Sequence, residues 1–423
     1  MTDVAGGILE LGGGQLVDLS GDVVRGPSGE TRLEARLARL LKSLLAAKGG
    51  IVTRDTLVSE VWLGRPVGDD AIDSAISRLR SALGDERKDL IQTVPKRGYR
   101  FSGGKRRLSS SAHCARGELA LELWDPASVH LALANFNSAL ESSPNDARAL
   151  SGAAISRALL CLRGALSVRP ELGVAAEQAR VAGELDPDLG VASLAFGVVA
   201  FLQDRSAGSA IEALDLAVAR CPSASLARVW RSQINLAAGR MHAAVDDLEV
   251  ALETDSANIG VRLKHIEALL FARRFDECCA AADRHLTEVG PSLGALAYKG
   301  WALMFLGESA SAVEVMALSW RAGPGRADKL RELKRAFNTG GPAGYFCAVA
   351  RLTDSNVLED VVRPIDRAVL WAMSSEPERA LSALRLAEQR DDLRLRWISV
   401  MPQFDSLRES REFSDLCERH RPV

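Results

Sequence analysis

A chain of 423 residues exceeds what one hydrophobic core organises, so two or more domains, or one domain and a repeat array, are expected. Apolar residues make up 47% and charged residues 26%, the balance of a water-soluble globular chain, which excludes the disordered and fibrous classes. The net charge of −2 hides an asymmetry: residues 32–107 hold 17 Lys and Arg against 9 Asp and Glu, a basic segment on an otherwise acidic chain, which points to an anionic partner.

The start, MTDVAGGILELGG, has neither a basic n-region nor the apolar run of a signal peptide. The most apolar window, residues 191–202, falls short of the roughly twenty residues that span a bilayer. A cytoplasmic chain with no membrane partner is expected. Residues 8–31 read as short strands broken at Gly12-Gly13-Gly14 and Gly26-Pro27-Ser28-Gly29. The spacing of Leu33, Leu37, Leu40, Leu41, Leu44 and Leu45 predicts a helix over 32–47, and Thr53 caps a second ending near Trp62. A connection over 63–68 leads into a third helix over 70–83. Its apolar stripe is Ile72, Ile76, Leu79 and Leu83, and its opposite face carries Ser74, Ser77, Arg78 and Ser81. On that face only Arg78 is large, so the face fits close to a nucleic-acid groove with Arg78 reaching a guanine edge or a phosphate. Arg80 flanks the stripe, where a backbone phosphate is expected. Gly84 stops the helix. IQTV and YRF then make two strands around the basic turn Pro95-Lys96-Arg97-Gly98, with Gly98 allowing the tight turn and Tyr99 and Phe101 facing the core.

An amphipathic helix followed by a basic hairpin also occurs in proteins that never touch DNA, and the residues by themselves leave both readings open. The wording is more specific. D-D-x-x-I-D-x-x-I-S-R-L-R-x-x-L-G-D followed by I-x-T-V-P-K-R-G-Y-R-F resembles the effector domain of OmpR/PhoB-type winged-helix regulators, and T-V-P-K-R-G-Y-R-F resembles the ToxR/CadC/HilA group within them. Arg32-Leu33-Glu34, and Gly49 through Leu57 to Val61-Trp62, are similar to the first two helices of that domain. The resemblance implies double-stranded DNA as partner, the third helix in the major groove and the wing at the backbone or minor groove. It assigns Arg78 to a base, Arg80 to a phosphate and Thr93, Lys96 and Arg97 to the wing contact. The full DNA-binding set is Ser74, Ser77, Arg78, Arg80, Ser81, Thr93, Lys96, Arg97 and Arg100. It also raises RNA polymerase contact at 63–68, against a plain connector there, and a homodimer on tandem half-sites. The absence of a membrane-spanning run sets the chain with the soluble members of the group.

Residues 105–112, beginning Lys105-Arg106-Arg107, read as a flexible basic linker. From residue 113 Ala and Leu dominate with helical periodicity. Ala210, Ala244, Cys278 and Ala312 recur every 34 residues; Leu214, Leu248, Ala282 and Met316 follow four later, and Pro222, Ser256, Gly290 and Pro324 twelve later. That is the tetratricopeptide period, with small residues where two helices cross and breakers where the next pair begins. Ala132, Phe136, Ala139 and Pro144, and then Ala175, Ala179, Ala182 and Pro187, mark two earlier units, with about nine extra residues near 161–170. Arg228 stands where a large apolar residue is usual. After Gly325 the period is lost while helices continue, similar to the C-terminal part of arrays attached to CadC-like regulators. The expected fold is mixed: an α+β winged helix-turn-helix domain over 1–104, the linker 105–112, tetratricopeptide-like repeats over 113–325, and a C-terminal helical part over 326–423, an all-α superhelical array.

Phosphate-cradling Gly-Lys-Ser/Thr, Gly-x-Ser-x-Gly and His-Glu-x-x-His are absent, the six histidines do not cluster and the seven cysteines form no C-x-x-C. No enzyme, cofactor or metal site is expected, and the cysteines are expected as reduced thiols in small core sites. The leading reading is a sequence-specific DNA-binding bacterial transcription regulator whose array senses a signal, binds a partner or oligomerises. Two alternatives stand: an interaction scaffold, or a regulator whose small-molecule ligand sits in the array near Trp230, Trp301 or Trp320, although tryptophans in such arrays are more often core.

Overall fold

The computed structural model describes residues 8–11, 16–19, 21–26, 29–85, 87–102, 105–107, 109–122, 126–221, 225–319, 326–353 and 362–423. The expected breaks at 12–14 and 27–28, the breakers Pro222 and Pro324, and Trp320 lie outside these residues. The chain divides into two compact units, residues 1–116 with 138–144, and residues 117–137 with 145–423.

In the first unit, strands β1 (Ile8–Glu10), β2 (Leu16–Asp18), β3 (Val23–Gly26) and β4 (Gly29–Arg32) precede helix α1 (Ala35–Ala46). Strand β5 (Ile51–Val52), helices α2 (Arg54–Val61) and α3 (Asp69–Ala82), and strands β6 (Ile91–Val94), β7 (Gly98–Phe101) and β8 (Lys105–Arg107) follow. All pairings are antiparallel, in a five-stranded sheet of order β4-β3-β2-β1-β8 and a three-stranded sheet of order β5-β7-β6. Two strands depart from expectation. β5 is two residues long, too short to announce itself by alternation. Residues 105–107, expected as linker, pair with β1: a strand edge asks only for backbone groups, so Lys-Arg-Arg composition does not prevent pairing.

One core unites this unit. Leu9, Val17, Leu19 and Val24 of the first sheet meet Leu37, Leu40, Leu41 and Leu44 of α1, the α3 stripe Ile72, Ile76, Leu79 and Leu83, and Ile91, Tyr99 and Phe101 of the wing. Each stripe residue is at most 1% exposed. Thr53 caps α2 by accepting from the Thr56 amide at 3.2 Å.

The second unit takes up the chain within α4 (Ser110–Leu121), which begins inside the expected linker, and α5 (Pro126–Ser142). Helix pairs follow: α6 (Ala147–Leu162) with α7 (Val168–Leu185), α8 (Gly190–Asp204) with α9 (Ala207–Arg220), α10 (Ser225–Ala237) with α11 (Met241–Thr254), α12 (Ile259–Phe271) with α13 (Phe275–Glu288), and α14 (Leu293–Phe305) with α15 (Ser309–Ser319). Ala210, Ala244, Cys278 and Ala312 are fully buried near the start of the second helix of each of the last four pairs, where a larger side chain would push the pair apart. The expected insertion lengthens both helices of the α6–α7 pair, of 16 and 18 residues, where α12 and α13 have 13 and 14. Arg228 is half-buried, and Ala227, Val229 and Trp230 carry the packing of α10 instead. Cys114, Cys161 and Cys278 are buried thiols as expected, whereas Cys221 is exposed.

Helices α16 (Arg326–Thr353), kinked at Gly341-Pro342, α17 (Pro364–Met373) and α18 (Pro377–Gln389) continue the chain. Two 3₁₀ turns, Leu393–Trp397 and Pro402–Leu407, and helix α19 (Arg411–His420) end it. This C-terminal part turns back onto the repeats. The buried Arg396 donates Nε to the Phe201 carbonyl at 3.2 Å and Nη2 to that of Leu202; Trp397 donates Nε1 to the Gln233 carbonyl at 2.8 Å. Arg273 pairs with Asp405 at 2.6 Å. Among the described residues no helix is long and apolar enough to cross a membrane.

Candidate nucleic-acid interface

With its stripe locked into the core, α3 turns Ser74, Ser77, Arg78 and Ser81 to solvent. Three hydroxyls and one guanidinium leave a low surface bearing a single long donor. Arg78 pairs with Glu34, the residue before α1, and both side chains are more than half exposed at 55% and 60%. Exposed pairs of this kind contribute about 0–1 kcal/mol, so a nucleic-acid partner replaces Glu34 at small cost.

Arg80 is placed differently from expectation. Its Nε donates to the Ile91 carbonyl at 3.0 Å, and its Nη2 donates to the same oxygen and to the Thr93 hydroxyl at 3.0 Å. The side chain is 13% exposed, with Asp85 at 4.0 Å. Turned inward, the guanidinium ties the end of α3 to β6, and the same contact engages Thr93.

Asp85 completes that joint. Its buried carboxylate accepts the Leu90 amide at 3.0 Å and the Ile91 amide at 2.8 Å, fixing where the wing begins. A second joint holds the start of α3. Arg54 reaches Asp69 at 3.1 Å and Asp73 at 2.8 Å, and donates to the Tyr99 hydroxyl at 3.1 Å while lying over that ring. Tyr99 donates to Asp73 in turn. Burial first, and then that hydrogen bond, push the Tyr99 phenol up to about 12, so it remains a donor across the physiological range. The pairing also offsets two acidic side chains that would otherwise repel a phosphate beside the wing.

The wing tip is Pro95-Lys96-Arg97, closed by Arg97 N–H to the Val94 carbonyl at 3.0 Å, with Lys96 left-handed at φ 61° and both cations exposed. A cleft of about 590 Å³ runs past Lys96 and Arg97 to Thr53, Asp55 and Asp69. Gly98 serves more than the turn: its φ is 137°, and a Cβ there would stand 2.0 Å from the Val52 carbonyl oxygen. Arg100 sits half-buried on β7, the central strand, opposite Ile51 and Gln92. The structure therefore brings Ser74, Ser77, Arg78 and Ser81 onto one face and Lys96 and Arg97 onto one tip, with Thr93 exposed on β6 where Arg80 meets its hydroxyl, and Arg80 and Arg100 part-buried behind. Arg54, Asp73 and Asp85 were not foreseen, because their partners lie 5 to 45 residues away in sequence.

Residues 28–101 match the family described as "Transcriptional regulatory protein, C terminal". The chain is 39% identical over 72 residues to the transcriptional activator CadC of Escherichia coli, a match that spans 16% of this chain and 14% of that protein. It is 32% identical to the solved DNA-binding domain of E. coli CadC, covering 92% of that domain and 23% of this chain, with a TM-score of 0.21. For the helical part, a thermophilic TPR protein of Thermus thermophilus is similar over 46% of this chain and all of its own length, at 21% identity and a TM-score of 0.37.

Proposed function

Since residues 28–101 belong to the OmpR/PhoB-type family of DNA-binding regulator domains, we propose that this chain is a sequence-specific transcription regulator acting in the cytoplasm. The observation that carries the reading is the low, exposed Ser74-Ser77-Arg78-Ser81 face beside a wing tipped by Lys96 and Arg97. In this reading α3 enters the major groove, Arg78 leaves Glu34 for a guanine edge, and the serines approach phosphates or base edges. Lys96 and Arg97 neutralise phosphates at the flank. Arg80, with Thr93, acts as a positioning residue that sets the angle between helix and wing, and Arg100 supports the wing from its central strand. The DNA-binding domain spans residues 1–107, two copies occupy tandem half-sites, and the helical array supplies the regulatory input.

The reading is tested by fluorescence anisotropy of the full chain on a selected duplex and on scrambled duplexes across a salt series. Arg78→Ala is expected to cost about 1–3 kcal/mol on the selected sequence only, whereas Lys96→Ala and Arg97→Ala weaken all sequences alike and lower the salt slope by about one each. Wild-type affinity of Arg78→Ala for the selected sequence sinks the recognition assignment. Salt-insensitive or absent binding by the wild type favours an interaction scaffold.

A small-molecule input is favoured by one observation in the second unit, a cavity between the repeats and the returning C-terminal segment.

A further inference from the structure

The first helices of four of the five pairs, α6, α10, α12 and α14, face the returning C-terminal segment across a cavity of about 580 Å³. The volume falls within the range of small-molecule sites, roughly 300–1,000 Å³. Its walls combine three features that a plain packing defect lacks.

The first is aromatic surface: Trp230 and Trp301 come from the repeats and Trp397 from the segment that closes over them. The second is charge. Arg163, Lys264, Arg363 and Arg394 line the cavity against only two acids, Glu267 and Asp366. Lys264 pairs with Glu267 at 2.7 Å and Arg394 with Asp366 at 2.7 Å, and Arg363 donates to the Leu162 carbonyl at 2.7 Å and to Asp392 behind the wall. Asp392 also lies 3.4 Å from Arg394, so with it the four cations face three acids, a net positive balance of one. The third is unspent hydrogen-bonding capacity. Trp230, Gln233 and Gln403 are 1%, 7% and 4% exposed, and Trp230 Nε1, Gln233 Nε2 and Gln403 Oε1 have no hydrogen-bond partner among the described residues. Gln233 Oε1 faces Lys264 at 3.5 Å, which turns the side-chain amide nitrogen to donate elsewhere. Buried polar groups of this kind are normally satisfied, so two donors and an acceptor around one cavity mark a place for an occupant.

We propose that this cavity binds a compact organic anion with a flat apolar body, its acid group among the cations and the Trp230 and Gln233 donors, its body against the tryptophans. The inference deepens the reading of the array as regulatory input and rests on that reading, but its test contains no DNA, so failure of either leaves the other standing.

The probe is anilinonaphthalene sulfonate, an aromatic anion that fluoresces in apolar sites, titrated into the full chain and followed by calorimetry and by energy transfer from tryptophan. One-to-one saturable binding is expected, with the uncharged analogue phenylnaphthylamine binding about tenfold more weakly, the size of one lost charge-assisted hydrogen bond. Trp230→Phe keeps an aromatic ring at the position but removes the N–H together with the five-membered ring of the indole, and is expected to weaken the sulfonate about tenfold. Val369→Trp, which fills the cavity from α17, is expected to abolish binding in a chain whose circular dichroism and melting remain native; if it fails to fold, Trp230→Phe decides. Non-saturable binding, or sulfonate binding unchanged in Trp230→Phe, overturns the site and leaves a cavity that holds only water. Equal affinity for the uncharged analogue overturns the anion.

Discussion

Replacing Gly98 with alanine tests how the wing is held. The new Cβ would stand 2.0 Å from the Val52 carbonyl oxygen, 2.9 Å from its carbon and 3.0 Å from the Thr53 Cα, all backbone atoms. Unstrained contact needs about 3.5 Å, so β5 must withdraw by roughly 1 Å or more from β7. Its register with β7, Ile51 opposite Arg100 and Val52 opposite Tyr99, cannot absorb that shift intact. Left-handed strain at φ 137° adds about 1–3 kcal/mol and the overlap with lost pairing about 1–3 more, for a total of about 2–6 kcal/mol. Gly64→Ala is the control: its φ of 76° carries the conformational term, and no atom lies within 4 Å of the new methyl. Hydrogen exchange in peptides covering 51–101 localises the effect in a chain of two units, where one global melting curve does not. Gly98→Ala is expected to reduce protection there by roughly two to four orders of magnitude and to weaken DNA binding, with Gly64→Ala losing only the conformational share, about one to two orders. Equal protection in the two variants refutes the steric argument.

Asp85→Ala leaves the buried Ile91 amide and the part-buried Leu90 amide without this acceptor and removes the acid beside Arg80, a loss of about 2–4 kcal/mol read in the same exchange experiment; unchanged wing protection contradicts the joint. Burial, and then Arg274 and Arg284, lower the His265 imidazole to about 4, with Glu277 opposing. The unfolded chain, titrating near 6.5, therefore takes up protons that the folded array refuses. Stability contributed by this site is whole above pH 6.5 and is lost as pH falls toward 4, by at most about 3 kcal/mol. His265→Gln is expected to flatten that part of the pH dependence, as urea midpoints of the array report; an unaltered slope between pH 6.5 and 4.5 contradicts it.

The amphipathic stripe of α3 and the 34-residue spacing of small residues were legible because each is a periodic demand of a single element or repeat. What stayed hidden depends on partners distant in sequence. Arg80 looks like a flank cation on a helical wheel, yet Ile91 and Thr93 sit where its donors end, 11 and 13 residues later. β8 escaped notice because its partner is the first strand, almost a hundred residues earlier. Trp230 and Trp301 were singled out as a pocket or core, but Trp397 and Arg396 belong to a segment with no repeat period, so nothing local announced that it returns to face them.

The measurement that tests the central claim most directly is selection of bound sequences from a random duplex pool by the full chain, in parallel with Arg78→Ala. Enrichment of one repeated motif by the wild type, with preference relaxed at a single base position in Arg78→Ala, is the expected result. Enrichment of the same motif to the same depth by both proteins would contradict the account of how this chain reads DNA.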